Sequence, residues 1–138
     1  MKSNHFTARA LLPASGVQSN SDISSLVLDA QGELVVNVAC SSDGDMVRGI
    51  RIVFQAPVAG FRFLDGLDLH RYVHTKGFPR GTHLIEVIDG GWLSEEKLLQ
   101  DSELDAREWM VVTGNGCLSV FSSEEPQCSE ITWAAEGA

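Results

Sequence analysis

Residues 109–121 read WMVVTGNGCLSVF, and they indicate a β-hairpin more clearly than any other part of the chain. Asn115 and Gly116 stand between two runs rich in β-branched and aromatic residues. Asn-Gly favours a two-residue type I′ turn there, because both central positions of that turn need positive φ. A hairpin closed by that turn pairs Gly114 with Cys117, and the later pairs follow in step. Its more apolar face then carries Trp109, Val111, Thr113, Leu118 and Val120.

Further strands are predicted on both sides of this hairpin, where apolar residues alternate with polar ones and glycine or aspartate follows. The stretches are 6–11, 23–28, 34–40, 47–54, 61–64, 82–88 and 131–134. Some of these are short, and we expect about seven or eight strands in all. Turn residues at regular intervals favour an antiparallel barrel or sandwich over alternating β/α units. We therefore predict a mainly β fold in a single domain spanning residues 1–138.

One short helix is predicted over residues 92–100, which read WLSEEKLLQ. Ser94 can accept hydrogen bonds from the unpaired N–H groups of the first turn, and Glu95 and Glu96 suit the positive end of the helix dipole. A second short helix could include residues 69–74. With two helices the alternative fold class is α+β.

Composition and net charge limit the classes of protein to which this chain can belong. The chain has 138 residues, is 43% hydrophobic and carries a net charge of −9, and it contains no apolar run long enough to cross a bilayer. A histidine and an arginine interrupt the first nine residues, where a secretory signal needs an apolar core. The three cysteines are far apart and odd in number, which suits a reducing compartment. We expect a cytoplasmic protein that binds neither membrane nor nucleic acid, since nucleic-acid binders need clustered cations.

The negative charge is confined to the last third of the chain. From Asp89 onward there are eleven acidic residues and two basic ones, whereas the residues before Asp89 balance. A solvated face that keeps the protein soluble is the ordinary explanation. The alternative is a surface that binds a basic protein partner. The candidate contact residues are Glu95, Glu96, Glu124 and Glu125.

A basic loop, KGFPRG at residues 76–81, stands out against this acidic background. Lys76 and Arg80 flank Phe78, and arginine and aromatic side chains contribute strongly to interface energy. The loop is a candidate contact element. A long strand connection explains it equally well.

His70 and His74 form the best metal hypothesis in the chain. Their i, i+4 spacing places both imidazoles on one face of a helix or a strand, as two ligands of one ion require. The third ligand could be Asp68, Asp65, His83 or Glu86, if the fold brings one of them near the two histidines. The segment lacks the glutamate of the His-Glu-x-x-His pattern, so two ordinary polar histidines are the competing interpretation.

The residues spell out no established catalytic motif. There is no Gly-x-Ser-x-Gly, no glycine-rich phosphate-binding pattern, and no cationic neighbour that would activate Cys117. Asp65 and Asp68 could form a catalytic carboxylate pair, but Asp and Gly in Leu64-Asp65-Gly66-Leu67 are standard turn residues. We expect no cofactor.

Three stretches, at residues 60–69, 85–93 and from 109 to 126, resemble small uncharacterised bacterial proteins rich in β-strands. In those proteins a strand with an aromatic and an acidic residue precedes a short helix and a final hairpin. The resemblance implies a small bacterial β fold without an assigned activity. Some small acidic bacterial proteins of this appearance are immunity partners of toxins, and no single residue can be carried over from them.

Together these features favour a non-catalytic cytosolic protein-interaction module with an acidic surface, of which an immunity protein is one version. The alternative is a small-molecule-binding β-barrel or a metal-dependent enzyme that uses His70 and His74. A homodimer, formed through an exposed strand edge or the tryptophans, is a third expectation.

Overall fold

The computed structural model describes residues 7–11, 21–65, 82–93, 95–96, 106–114 and 116–135. Within these ranges the chain forms nine strands in two antiparallel sheets. The strands are β1 (Thr7–Ala10), β2 (Asp22–Leu28), β3 (Leu34–Asp43), β4 (Met46–Phe54), β5 (Gly60–Asp65), β6 (Leu84–Asp89), β7 (Arg107–Val112), β8 (Gly116–Ser122) and β9 (Gln127–Ala134).

The two sheets have different strand orders. The five-stranded sheet runs β1-β6-β7-β8-β5, and the four-stranded sheet runs β2-β3-β4-β9. Each sheet keeps two edge strands, so neither closes on itself. The mainly β prediction is confirmed and the architecture is a sandwich, which corrects the barrel alternative.

The main core lies between the sheets. Leu34, Val36 and Val38 on β3 are fully buried, as their alternation predicts, and they pack with Ile52 and Phe54 of β4. The five-stranded sheet contributes a facing set to this cluster, made of Leu84, Trp109, Val111, Leu118 and Val120. The more apolar face predicted for the hairpin is therefore the face that meets the other sheet.

A second apolar cluster lies on the opposite face of the five-stranded sheet. It contains Leu64, Ile85, Val87, Met110, Val112 and Cys117. Strands β7 and β8 are consequently buried on both faces, apart from Arg107 at the start of β7. This two-sided burial explains why their sequences are almost continuously apolar instead of alternating cleanly.

The β7–β8 hairpin forms, but in a register different from the one predicted. Val112 pairs with Cys117, and Thr113 donates its main-chain N–H to the Gly116 carbonyl at 2.9 Å. The expected pairing of Gly114 with Cys117 is thus wrong. Cys117 lies opposite Val112 instead of Gly114, which is a shift of two residues along β7. Because side chains alternate between faces with a period of two, every side chain keeps its predicted face.

Helical structure among the described residues is limited to Trp92, Leu93, Glu95 and Glu96. This agrees with the start of the predicted helix and does not support the α+β alternative. The suggested second helix, at 69–74, lies outside the described residues. No described helix is long and apolar enough to span a membrane.

Candidate functional site

The topology brings two acidic segments to the same end of the five-stranded sheet. Strand β6 ends at Asp89 and leads into the helical turn, and β8 ends at Ser122 and leads into the connection to β9. Because β6 and β8 both flank β7 and run in the same direction, both segments leave the sheet at one end. We call the surface formed by Asp89, Glu95, Glu96, Glu124 and Glu125 the acidic end.

Glu108 fixes the start of the helical turn. Glu108 is 1% exposed, and its carboxylate accepts hydrogen bonds from the main-chain N–H groups of Trp92 at 3.2 Å and Leu93 at 2.9 Å. Gly91 leaves room for this carboxylate, since a Cβ there would lie 2.6 Å from Glu108 Oε1. Glu108 on β7 thereby caps the helical turn, because it accepts hydrogen bonds from N–H groups that the first turn of a helix leaves unpaired.

Trp92 holds the same turn against the end of β8. Its ring stacks on Phe121 with centroids 4.1 Å apart, and the Arg62 guanidinium lies 4.7 Å from the Trp92 ring centroid. Trp92 Nε1 also donates to Glu96 Oε1 at 3.0 Å. The turn that carries Glu95 is therefore anchored directly beside the point where the Glu124–Glu125 connection begins.

A charged cluster lies on the core-facing side of this end of the sheet. The Glu86 carboxylate accepts hydrogen bonds from Arg107 at 2.7 and 3.1 Å and from Arg9 at 2.8 Å. The Arg107 guanidinium also lies 4.5 Å from the Trp109 ring centroid. The hydrogen bonds from Arg107, with a smaller contribution from Arg9, lower the pKa of Glu86. Glu86 is therefore held as a carboxylate that ties β1 and β7 to β6.

The four predicted contact glutamates fall into two kinds. Glu96 is bound to Trp92, and Glu125 accepts a hydrogen bond from Arg9 at 3.4 Å. Glu95 and Glu124 are exposed, and their carboxylates form no hydrogen bond or ion pair with any described residue. Of these four glutamates, Glu96 and Glu125 therefore have structural contacts, and Glu95 and Glu124 face solvent.

The predicted metal ligands cannot be placed. His70, His74 and Asp68 lie outside the described residues, and the metal hypothesis stays a prediction. Within the described residues no three histidine, cysteine or acidic side chains are grouped as a metal site would require. The contact residues Lys76, Phe78 and Arg80 of the basic loop also lie outside the described ranges.

His83 precedes β6 and is 1% exposed. Burial lowers its pKa, and its Nε2 has no hydrogen-bond partner among the described residues. Asp65 lies at the same end of the sheet, but β5 and β6 are separated by three strand spacings, about 14 Å. Glu86 lies on the other face of β6 and is already bound by two arginines. The described backbone thus keeps His83 apart from Asp65 and Glu86, so these three residues do not converge on one site.

None of the three cysteines forms a disulfide with a described residue. Cys117 is fully buried in the second apolar cluster, and Cys40 is half-buried against the main core. Burial raises the pKa of the half-buried Cys40 thiol. Cys128 is exposed on β9, and burial of its sulfur and the charge of Glu125 raise its pKa. These settings disfavour the thiolate that nucleophilic chemistry needs.

The titration of Glu108 gives a test of this arrangement. Burial raises the pKa of Glu108, against the opposing effect of the Leu93 and Trp92 N–H groups. A raised folded-state pKa means that its contribution to stability is fully present below the unfolded pKa, about 4.3, and is lost as pH rises through the folded pKa. We expect the unfolding free energy of wild type relative to Glu108→Gln to fall as pH rises from 4 to 8.

Urea unfolding at several pH values measures this difference, and Glu95→Gln serves as the surface reference. If the difference between wild type and Glu108→Gln instead grew as pH rose, Glu108 would not be the buried carboxyl described above.

Sequence patterns missed Glu86 and Glu108 as organising residues. A usable signal was present at Glu86, because a charge between Ile85 and Val87 in an apolar strand needs a partner when the strand is buried. No local pattern identified the partners, since Arg9 lies 77 positions from Glu86 along the chain. Comparison of the whole chain with protein-family models, curated proteins and solved structures found no match.

Proposed function

We propose that this protein is a non-catalytic cytoplasmic interaction module that binds a basic protein partner through the acidic end. One observation carries the proposal. Glu95 and Glu124 are distant in sequence, yet they leave the same end of one sheet, exposed and without an intramolecular partner among the described residues. Carboxylates in this state are available to a cationic surface at little cost in existing contacts.

The charge balance of this end supports the proposal. Two of its cations, Arg9 and Arg107, are bound by Glu86, and Arg62 lies over Trp92. Among the described residues this end has three guanidinium groups and seven carboxylates, namely Glu86, Asp89, Glu95, Glu96, Glu108, Glu124 and Glu125. The described residues of this end therefore carry a net negative charge even with Glu108 protonated, and a negative field attracts a basic protein and accelerates its association.

The roles of the buried carboxylates favour binding over catalysis. Acid–base chemistry needs a titrating group that can reach a substrate. Glu86 is occupied by two arginines, and Glu108 by two main-chain N–H groups. An immunity-type role, in which the partner is a basic toxin, is one form of the proposed function.

To test the proposal, the tagged full chain is expressed in cells of its natural source, where its partner proteins are also present. Captured proteins are identified by mass spectrometry, and each purified partner is titrated against the wild type and the double variant Glu95→Lys/Glu124→Lys. We expect the partner to be basic and the variant to bind at least about tenfold more weakly, which corresponds to about 1.4 kcal/mol. Glu96 and Glu125 stay unchanged, so the contacts that hold the two segments are preserved.

The matched control is Asp22→Lys/Asp43→Lys, which changes the net charge equally at two exposed positions of the four-stranded sheet. It should bind within about twofold of wild type if location matters more than total charge. Equal weakening by both variants, or none by the first, would remove the acidic end from the account.

A further inference from the structure

Strand β9 is an edge strand whose outer side pairs with no other described strand. It pairs with β4 over its full length, from Gln127 opposite Val53 to Ala134 opposite Met46, without any register shift. It is the last strand of the four-stranded sheet, so among the described strands none pairs with its other side. An eight-residue regular edge presents a row of main-chain donors and acceptors to any strand that approaches.

The other three edges are less suited to pairing. Strand β1 has four residues and an irregularity between Thr7 and Ala8, and β2 has one between Ile23 and Ser25. Strand β5 is six residues long, and Arg62 stands in its middle. Strand β9 has no irregularity, no proline and a single charge, Glu130. Strand β9 is therefore the longest of the four edges and has no register shift, and Glu130 is its one protecting charge.

The hydrogen-bond pattern shows which residues face the open side. Ala135 donates its N–H to the Asp45 carbonyl at 2.7 Å, and the pairs of β4 and β9 continue in step from there. Hydrogen-bonded pairs alternate along an antiparallel ladder, so Trp133, Ile131, Ser129 and Gln127 are bonded to β4. The N–H and C=O groups of the intervening residues point to the open edge, and these residues are Cys128, Glu130, Thr132 and Ala134.

The space beside this edge is accessible. The four edge-facing residues are all exposed. A depression of about 560 Å³ runs along the core-facing side of β4 and β9, lined in part by Arg48, Ile50, Glu130 and Thr132. The five-stranded sheet thus leaves this part of the four-stranded sheet open to an incoming strand.

We propose that a second copy of this chain binds here, with the two β9 strands antiparallel about a two-fold axis at Ile131. Glu130 then pairs with the partner's Thr132, and Cys128 pairs with the partner's Ala134. The two four-stranded sheets become one continuous eight-stranded sheet. This dimer forms through β9 and needs no partner bound at the acidic end.

The occupant follows from the self-complementarity of the strand. With the axis at Ile131 all four edge-facing residues of each copy are paired, through roughly eight main-chain hydrogen bonds. An axis at Glu130 would place two carboxylates opposite each other and leave Ala134 unpaired, whereas an axis at Thr132 would leave Cys128 unpaired. In the chosen register the two half-buried Ile131 side chains meet at the axis and add an apolar contact.

Sedimentation equilibrium from micromolar to millimolar protein tests the dimer. We expect wild type to approach twice the 15.0 kDa of one chain, and Glu130→Ala to do the same. Glu130→Pro should remain monomeric, because the N–H that proline removes faces the open edge and is not bonded to β4. A monomeric wild type, or a Glu130→Pro variant that still dimerises, would overturn the proposal.

Thiol cross-linking tests the register without relying on the proline variant. Ile131→Cys in a Cys128→Ser background should form an intermolecular disulfide with diamide, because directly opposed Cβ atoms lie about 4.5–5.5 Å apart. Val27→Cys, exposed on β2 at the opposite edge of the sheet, should form little in the same background. Cross-linking at Val27 in place of residue 131, or at neither position, would contradict the proposed pairing.

Discussion

Replacing Trp109 with alanine is expected to lower the free energy of unfolding by about 3–5 kcal/mol, the usual cost of truncating a buried aromatic residue. Trp109 is the largest fully buried side chain of the described residues. It lies in the core between the sheets and donates its Nε1–H to the Ser122 carbonyl at 3.0 Å. The alanine variant would leave a cavity in the core between the sheets and would lose this hydrogen bond.

Urea unfolding followed by circular dichroism measures this loss. Phe63→Ala is the control, because Phe63 is also aromatic and on the same face of the sheet but is 54% exposed on the edge strand β5. Its truncation should cost less than about 1 kcal/mol. Comparable losses from both variants would place the core elsewhere than between the two sheets.

The second large effect is expected from Gly49→Ala, which should lower the free energy of unfolding by about 3 kcal/mol. Gly49 lies in the middle of β4 opposite Ala39, next to the register shift between Ala39 and Ser41. A Cβ at Gly49 would overlap the Val38 carbonyl oxygen and would come within 2.8 Å of the Trp133 ring. A main-chain atom cannot yield as a flexible side chain can, so the alanine must displace a strand of the sheet.

Gly44→Ala separates this steric effect from conformational strain. Gly44 has a φ of 62°, and nothing lies within 4 Å of the position of its Cβ. Its substitution should cost only about 1 kcal/mol, from the left-handed backbone conformation. In thermal and urea unfolding, Gly49→Ala should therefore be clearly less stable than Gly44→Ala. The reverse order would mean that β4 does not approach β3 and Trp133 as described.

The hairpin of β7 and β8 illustrates what local sequence can and cannot predict. Alternation correctly assigned each side chain to its face, because that depends only on the period of a strand. The register was wrong because Gly114 and Gly116 both suit a turn. A contact from elsewhere in the chain accompanies the observed choice, since the Gly114 N–H donates to Ser21 Oγ at 2.9 Å. Local patterns carry no information about such a partner.

Strand β9 shows the limit in another form. The prediction began at residue 131, whereas the strand begins at Gln127. Residues 127–130 are all exposed, so the alternation produced by burial on one face is absent there. The same exposure that concealed this part of the strand makes it an open edge. The barrel alternative failed for a related reason, because strand patterns do not determine how the sheet edges meet.

The acidic end was predictable in composition but not in structure. The sequence located the excess of carboxylates after Asp89, and it could not distinguish those bound inside the protein from those left exposed. That division depends on Trp92, Arg9 and Glu86, which are brought together only by the sheet order. The metal hypothesis at His70 and His74 stays a prediction, because both residues lie outside the described ranges.

The most direct test of the central claim, that the acidic end recruits a basic partner, is the salt dependence of the association rate constant. Complementary charge acts mainly on the rate of association, and salt screens it. Stopped-flow mixing of the full chain with its captured partner at low and high ionic strength should show association slowing at least about tenfold as salt rises. Glu95→Lys/Glu124→Lys should remove most of that dependence. An association rate that is the same at both ionic strengths would contradict the account.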